Sequence, residues 1–311
     1  MLNKNIRTIK LKEGHIIPLK FDFEFTSIFN NIDNMIIVEN FVALYLNESI
    51  SKIRNHVEIK SRNLSIKNKT NKDKQVDLLV DIDGEKINIE LNNRKSPGII
   101  DRNVVYAAEI HGKQLKYQDN DYSEISRTIQ INLNNFKCNK NDKLVDTYYL
   151  RNKDGEVLTE KFRIDYVDLV NAKENRYNKH EEKLARFCMA INAETMTDFK
   201  KEIGGIMEKN AEDKLIDEVD KYSRDDEVIA LYSAYSREEL ERNTLLREAK
   251  EEGLRLAAME MEKGRAEGIL QGAKQKSIEI AKNLLAINMD FSDISKATGL
   301  SKEEIISLKN D

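Results

Sequence analysis

The sequence predicts an α+β fold followed by an all-helical C-terminal region, and three observations carry that reading. Residues 76–92 hold two alternating strands around an Asp-Gly dipeptide, segments with helical spacing flank them, and from about Asn171 the chain turns to helix formers and charge. The boundaries that follow are 1–170 for a mixed domain, 171–250 for a helical region, and 251–311 for a Gly-interrupted helix with a helix-turn-helix-like tail.

In chain order, FDFEFTSIFNNIDNMIIVENFVALYLN spaces its apolar residues by three and four, which predicts helices packed on something else. A basic stretch follows from Ser51 to Lys74, with Lys52, Arg54, Lys60, Arg62, Lys67, Lys69, Lys72 and Lys74 against Glu58 and Asp73. It reads either as a phosphate-attracting surface or as a solvated loop. VDLLVDI, KINIELN, TIQINLNNF, DTYYLRN and KFRIDYVDL are β-branched or aromatic and mostly alternate, so strands are expected, with IIDRNVVYAAEIHGKQLKY as an intervening helix.

The hairpin QVDLLVDIDGEKINIELNN carries the sharpest local prediction. Asp83-Gly84 favours a two-residue type I′ turn, which pairs Ile82 with Glu85 and makes every pair of facing residue numbers sum to 167. Asp81 then faces Lys86, Leu79 faces Asn88, and Asp77 faces Glu90. Alternation puts Val76, Leu78, Val80, Ile82, Ile87, Ile89 and Leu91 on a core face, with Asp77, Glu90 and Asn92 opposite. Two anions about 5 Å apart repel by ~1 kcal/mol in water and ~3 kcal/mol at an effective dielectric near 20. Lys86 relieves Asp81, whereas a divalent cation is the natural relief for Asp77 and Glu90. An amphipathic hairpin with a wet face is the alternative.

Gly253, Gly264, Gly268 and Gly272 interrupt the helical pattern of the C-terminal half, each at a cost of about 1 kcal/mol against Ala. They mark either close helix approach, as in a dimer, or a weak linker helix. The tail reads as helix, short helix, Gly299 turn and a last helix opened by a Ser301–Glu304 capping box. Glu303 and Glu304 would repel phosphate there, so a packing or oligomerisation cap is expected ahead of DNA reading.

Composition narrows the field further. The 311 residues are 34% charged yet carry a net charge of only −4, so overall charge does not mark a nucleic-acid binder. Cys138 and Cys188 are the only cysteines and form no Cys-x-x-Cys pair, which fits a reducing compartment. No apolar run approaches a signal peptide or a membrane span, and a soluble cytoplasmic protein is expected. Phosphate-loop, dinucleotide and nucleophile-elbow patterns are missing, and His15, His56, His111 and His180 lack zinc spacing.

Set in order, Asp22-x-x-Phe25-x-x-x-Phe29, Asp77, INIELN, Arg102-x-x-x-Tyr106, Gln114-Leu115 and the IQINL strand resemble the PD-(D/E)XK nuclease superfamily. The similarity is to the Rpn-type recombination-promoting nucleases, also called transposases, and it spans roughly Pro18 to Phe136, with the Gly-spaced helix and KATGLSKEEI similar to that family's C-terminus. The resemblance implies an αβββαβ restriction-endonuclease-like core and a Mg²⁺-dependent (or Mn²⁺-dependent) DNA endonuclease acting in recombination, mobile-element biology or defence. It implies Asp77, Glu90 and the Leu91 carbonyl as metal ligands, Asn92 at the third catalytic position where Lys or Gln is usual, and Asp22 and Gln114 as supporting catalytic residues. DNA and a second copy of the chain, joined through the C-terminal helices, are the expected partners. A catalytically weak or inactive relative that binds nucleic acid or protein is the alternative.

Overall fold

A mixed sheet organises the first half of the chain. A computed structural model describes residues 10–62, 75–115, 121–139, 142–173 and 178–310. Among them the strands are β1 (Val57–Ile59), β2 (Leu78–Ile82), β3 (Glu85–Asn92), β4 (Thr128–Asn134), β5 (Val145–Arg151) and β6 (Val157–Asp168). They lie side by side in the order β1-β2-β3-β4-β6-β5, with β3–β4 and β4–β6 parallel and the other neighbours antiparallel. Helices α1 (Asp22–Phe29), α2 (Met35–Leu46) and α3 (Ile50–Ile53) precede β1, and α4 (Ile99–Gly112) joins β3 to β4. The expected α+β architecture and its αβββαβ order are therefore present.

The β2–β3 hairpin has the register its turn dictates. Asp83 and Gly84 both take positive φ, 50° and 96°, as a type I′ turn requires. The ladder pairs Ile82 with Glu85, Asp81 with Lys86, and Leu79 with Asn88. Leu78, Val80, Ile82, Ile87, Ile89 and Leu91 enter the main core together with Phe25, Phe29, Phe41 and Phe187, and Phe41 stacks on Phe187 with ring centroids 4.8 Å apart. Every residue of β4, and β3 from Ile87 onward, is buried, as expected of parallel strands covered on both faces.

Several expectations need correction. Val76 does not join the main core; it packs with Leu79 and Ile110 on the α4 side of the sheet. There the Asp77 N–H donates to the Glu90 carboxylate, and the β2–β3 ladder begins only at Leu78, so Val76 lies outside the strict alternation. The basic stretch contains a strand, β1, whose apolar ends Val57 and Ile59 pair with Ile82 and Val80; Lys67, Lys69, Lys72 and Lys74 lie outside the described residues. The two compact units of the chain divide between Ala234 and Tyr235, later in the chain than the change of texture near Asn171. Helices α5 (Lys179–Ile191), α6 (Met196–Ile203) and α7 (Lys209–Ser223) add Leu184, Phe187, Phe199, Leu215 and Val219 to the main core. Only the polar faces of these amphipathic helices give the sequence its charged look.

The second unit, Tyr235–Asp311, holds most of α8 (Asp226–Ala286) with α9 (Phe291–Thr298) and α10 (Lys302–Asn310). Ala281, Ile294, Leu300 and Ile305 form its small core. Gly299 makes the turn at φ 74°, and the capping box is present, with Glu304 N–H donating to Ser301 Oγ at 3.2 Å and Ser301 N–H to Glu304 Oε2 at 2.9 Å. The four glycines lie inside one continuous helix, with open space around each. No helix among the described residues is long and apolar enough to cross a membrane.

Candidate active site

The hairpin brings Asp77 and Glu90 together. Leu91 N–H donates to Asp77 Oδ2 at 2.8 Å, and Asp77 N–H donates to Glu90 Oε1 at 3.3 Å, so each carboxylate is anchored by the other's strand. Asn30 Nδ2 holds the Asp77 carbonyl from the end of α1. Glu90 is only 4% exposed. Burial, and then the negative charge of Asp77, push its carboxyl up to about 8 from an ordinary 4.5, with Arg102 pulling the other way. Asp77 is also raised, by burial first and further by Asp22, against the opposing pull of the Leu91 N–H, Arg62 and Arg102. The repulsion expected from the sequence is thus intensified by a low-dielectric setting.

The other predicted residues divide. Asp22, the exposed first residue of α1, stands near enough for its charge to act on Asp77. Its own carboxylate accepts from the Phe23 N–H at 2.9 Å. Leu91 buries its side chain in the main core and offers its backbone to the pair. Asn92 is buried, its Nδ2 donating to Asn134 Oδ1 at 3.0 Å and its Oδ1 accepting from Arg102. Gln114 is not brought to the pair. It binds Ser126 and Thr128 instead, with Nε2 donating to Thr128 Oγ1 at 2.8 Å. Thr128 pairs with Lys86 and Asn132 pairs with Glu90, so four residues of β4, roughly 13 Å, separate Gln114 from the carboxylates.

Beneath α4 the same face of β3 and β4 carries a run of buried amides that the sequence reading passed over as alternating polar positions. Asn88 Nδ2 donates to Gln130 Oε1 at 2.8 Å, and Gln130 Nε2 donates to Asn132 Oδ1 at 3.0 Å. Asn132 Nδ2 donates to the Asp165 carbonyl at 3.0 Å, and Asn134 Nδ2 to the Asn132 carbonyl at 3.1 Å. Buried amides are tolerated when paired in this way. Their signal was present in IQINLNN: Asn is depleted in strands, so its recurrence at alternate positions marks a special face. Arg62, on the other flank, donates through Nε to the Val76 carbonyl at 2.7 Å and contributes a positive charge near Asp77.

As a donor set, two hard carboxylates suit Mg²⁺ or Mn²⁺, which commonly take one or two carboxylates and leave other positions to water and phosphate. Among the described residues no group of three or more Asp, Glu, His or Cys side chains is placed to hold a metal ion. The arrangement is acidic at its centre and basic at its rim.

Residues 19–249 match the family described as PD-(D/E)XK nuclease family transposase. Residues 274–310 match the C-terminal HTH domain of the Rpn/YhgA-like nuclease family. No curated protein and no solved structure matches the chain. The second match agrees with the helix-turn-helix outline that the sequence suggests for the tail. Its acidic opening is partly consumed internally, since Glu304 caps its own helix and lies 3.5 Å from Lys274.

Proposed function

The chain belongs to the PD-(D/E)XK nuclease family transposases, and from that premise we propose that it is a DNA endonuclease hydrolysing phosphodiester bonds with a divalent metal held at Asp77 and Glu90. The observation that carries this reading is the close approach of the half-buried Asp77 and the buried Glu90 at the end of the hairpin, each bonded to a backbone N–H beside the other, with Asp22 near and Arg62 and Arg102 at the edge. Asp77, Glu90 and the Leu91 carbonyl are the proposed ligands of Mg²⁺ or Mn²⁺. When bound, such a metal acidifies water and steadies negative charge on the scissile phosphate.

The remaining roles belong to the chain's own groups. Asn92 carries no charge where Lys is usual, and both ends of its amide are already engaged. Arg102, bonded to that amide and within electrostatic reach of both carboxylates, supplies a positive charge at the third position and meets the phosphate with its fork of N–H donors. Asp22 adds negative charge to the metal's surroundings, and the HTH domain at residues 274–310 supplies further hold on DNA. Gln114, remote from the pair, supports the strand ends. The setting is cytoplasmic, consistent with Cys138 and Cys188 being free. The biological context we propose is recombination, mobile-element biology or defence, with the C-terminal helices pairing two copies of the chain.

A second reading, binding without cutting, is favoured by one observation: the neutral, fully engaged Asn92. Purified wild type, Glu90→Ala and Glu90→Gln, incubated with supercoiled and linear DNA in Mg²⁺, in Mn²⁺ and in chelator, separate the two. Cutting by wild type alone, lost in chelator, supports the nuclease. DNA bound but never cut by any of them supports the second reading.

A further inference from the structure

Within α8, positions spaced alternately four and three residues apart form a continuous heptad stripe from Leu245 to Leu270. Such a stripe is the seam of a coiled coil. Its large members stand in solvent: Leu245 is 64% exposed, Leu256 52%, Met259 58% and Leu270 70%. A helix draws most of its stability from packing an apolar face, and this one leaves its stripe bare over about 39 Å. The α9–α10 pair packs further along, on Ile278 and Ala281, clear of the stripe.

The order of residues along the stripe selects both the occupant and its direction. Read from either end it runs Leu, Ala, charge, large apolar. A second copy laid antiparallel about the point between Ala257 and Ala258 therefore sets Leu245 against Leu270, Ala249 against Ala266, and Leu256 against Met259. The same placement sets Glu252 against Lys263, twice per dimer by symmetry. On the flank, Arg255 comes beside Glu262. A parallel, in-register pair would instead oppose Glu252 to Glu252 and Lys263 to Lys263 at seam positions. Charged seam residues are a device for choosing orientation and register at some cost in stability. The small side chains of Ala257 and Ala258 at the two-fold axis let the helices approach closely.

Resting on the reading that two copies pair, we infer that α8 docks on α8 of a second copy as an antiparallel coiled coil centred between Ala257 and Ala258, with the Glu252–Lys263 pairs setting its direction. The test uses the full chain. Light scattering and sedimentation should give a dimer, weakened at least ~100-fold by Glu252→Lys or by Lys263→Glu alone through like-charge opposition, and restored when both substitutions are combined. In a background lacking Cys138 and Cys188, a chain with Leu245→Cys should cross-link through a short bis-maleimide to a chain with Leu270→Cys, and neither should cross-link to itself. A monomer at all concentrations overturns the inference together with the pairing reading. A dimer that ignores the charge exchange, or whose single-cysteine chains cross-link to themselves, overturns the antiparallel seam alone.

Discussion

Replacing Glu90 by Gln in the metal-free chain should remove a pH dependence that the buried carboxyl imposes on folding. In the folded protein burial, and then Asp77, lift this group to about 8 from an ordinary 4.5. Between those values the unfolded chain has released the proton while the folded chain retains it. The stabilisation is therefore fully present below the lower value and is lost as pH rises toward the upper one. Each pH unit in that window costs about 1.4 kcal/mol. From about pH 5 to about pH 7 the wild type should thus lose roughly 2–3 kcal/mol more than Glu90→Gln. Gln keeps an Oε1 able to accept from the Asp77 N–H and from Asn88, as Glu90 does, so the variant changes the charge and preserves the bonds. Urea unfolding of both proteins in chelator, at several pH values, reads the difference between the two forms of the carboxylate pair, and titrations away from that pair cancel in the comparison. Parallel stability profiles would refute the reasoning, because they would mean that Glu90 is ionised at neutral pH without a cation beside it.

Glu24 offers a related test away from the site: it is fully buried, neither oxygen is hydrogen-bonded, and burial followed by Asp225 pushes it up to about 8. Glu24→Met should raise the thermal midpoint, more so with rising pH, and a lower midpoint near pH 8 would contradict the assignment of an unrelieved carboxyl. Gly84→Ala should cost about 1–3 kcal/mol in chemical denaturation, because Gly84 sits at φ +96° and an added Cβ would stand 3.0 Å from Ser126 Oγ; no loss of stability would count against the turn. Arg102→Ala should slow DNA cutting by about 100-fold with a smaller change in DNA binding, Arg102→Lys falling between; an unchanged single-turnover rate would remove Arg102 from the mechanism.

The hairpin was legible because its turn chemistry, alternation and register are local. Asp83-Gly84 alone determines which residues face one another, and the observed pairs follow from it. The helices from Lys179 to Ser223 were harder to place, since amphipathic helices show charge in the sequence whether they flank a core or form a separate region. Their membership of the first core rests on long-range contacts such as Phe41 with Phe187, which no local pattern encodes. β1 was hidden for a similar reason: three residues within a basic stretch become a strand only because β2 offers an open edge. Gln114 was named through the resemblance, which does not say where α4 delivers it; α4 carries the chain away from Asn92 and leaves Gln114 on Ser126 and Thr128, at the opposite end of β4.

Asn92 shows why a site position cannot be judged by residue type alone. Taken singly, an amide where Lys is usual reads as a weakened site. In the fold that amide is a junction, tied on one side to Asn134 and on the other to Arg102. In the mechanism proposed above, the charge missing from β3 is supplied by Arg102 of α4, which bonds the Asn92 amide, while Asn134 of β4 holds that amide from the other side. A buried polar ladder of this kind is stable only while its members remain paired, so the same bonds that burden the fold with polar groups hold the site rigid. Loss of Asn134 should accordingly disturb Asn92 and Arg102 before it disturbs Asp77 and Glu90, whose anchors are backbone N–H groups of the hairpin itself.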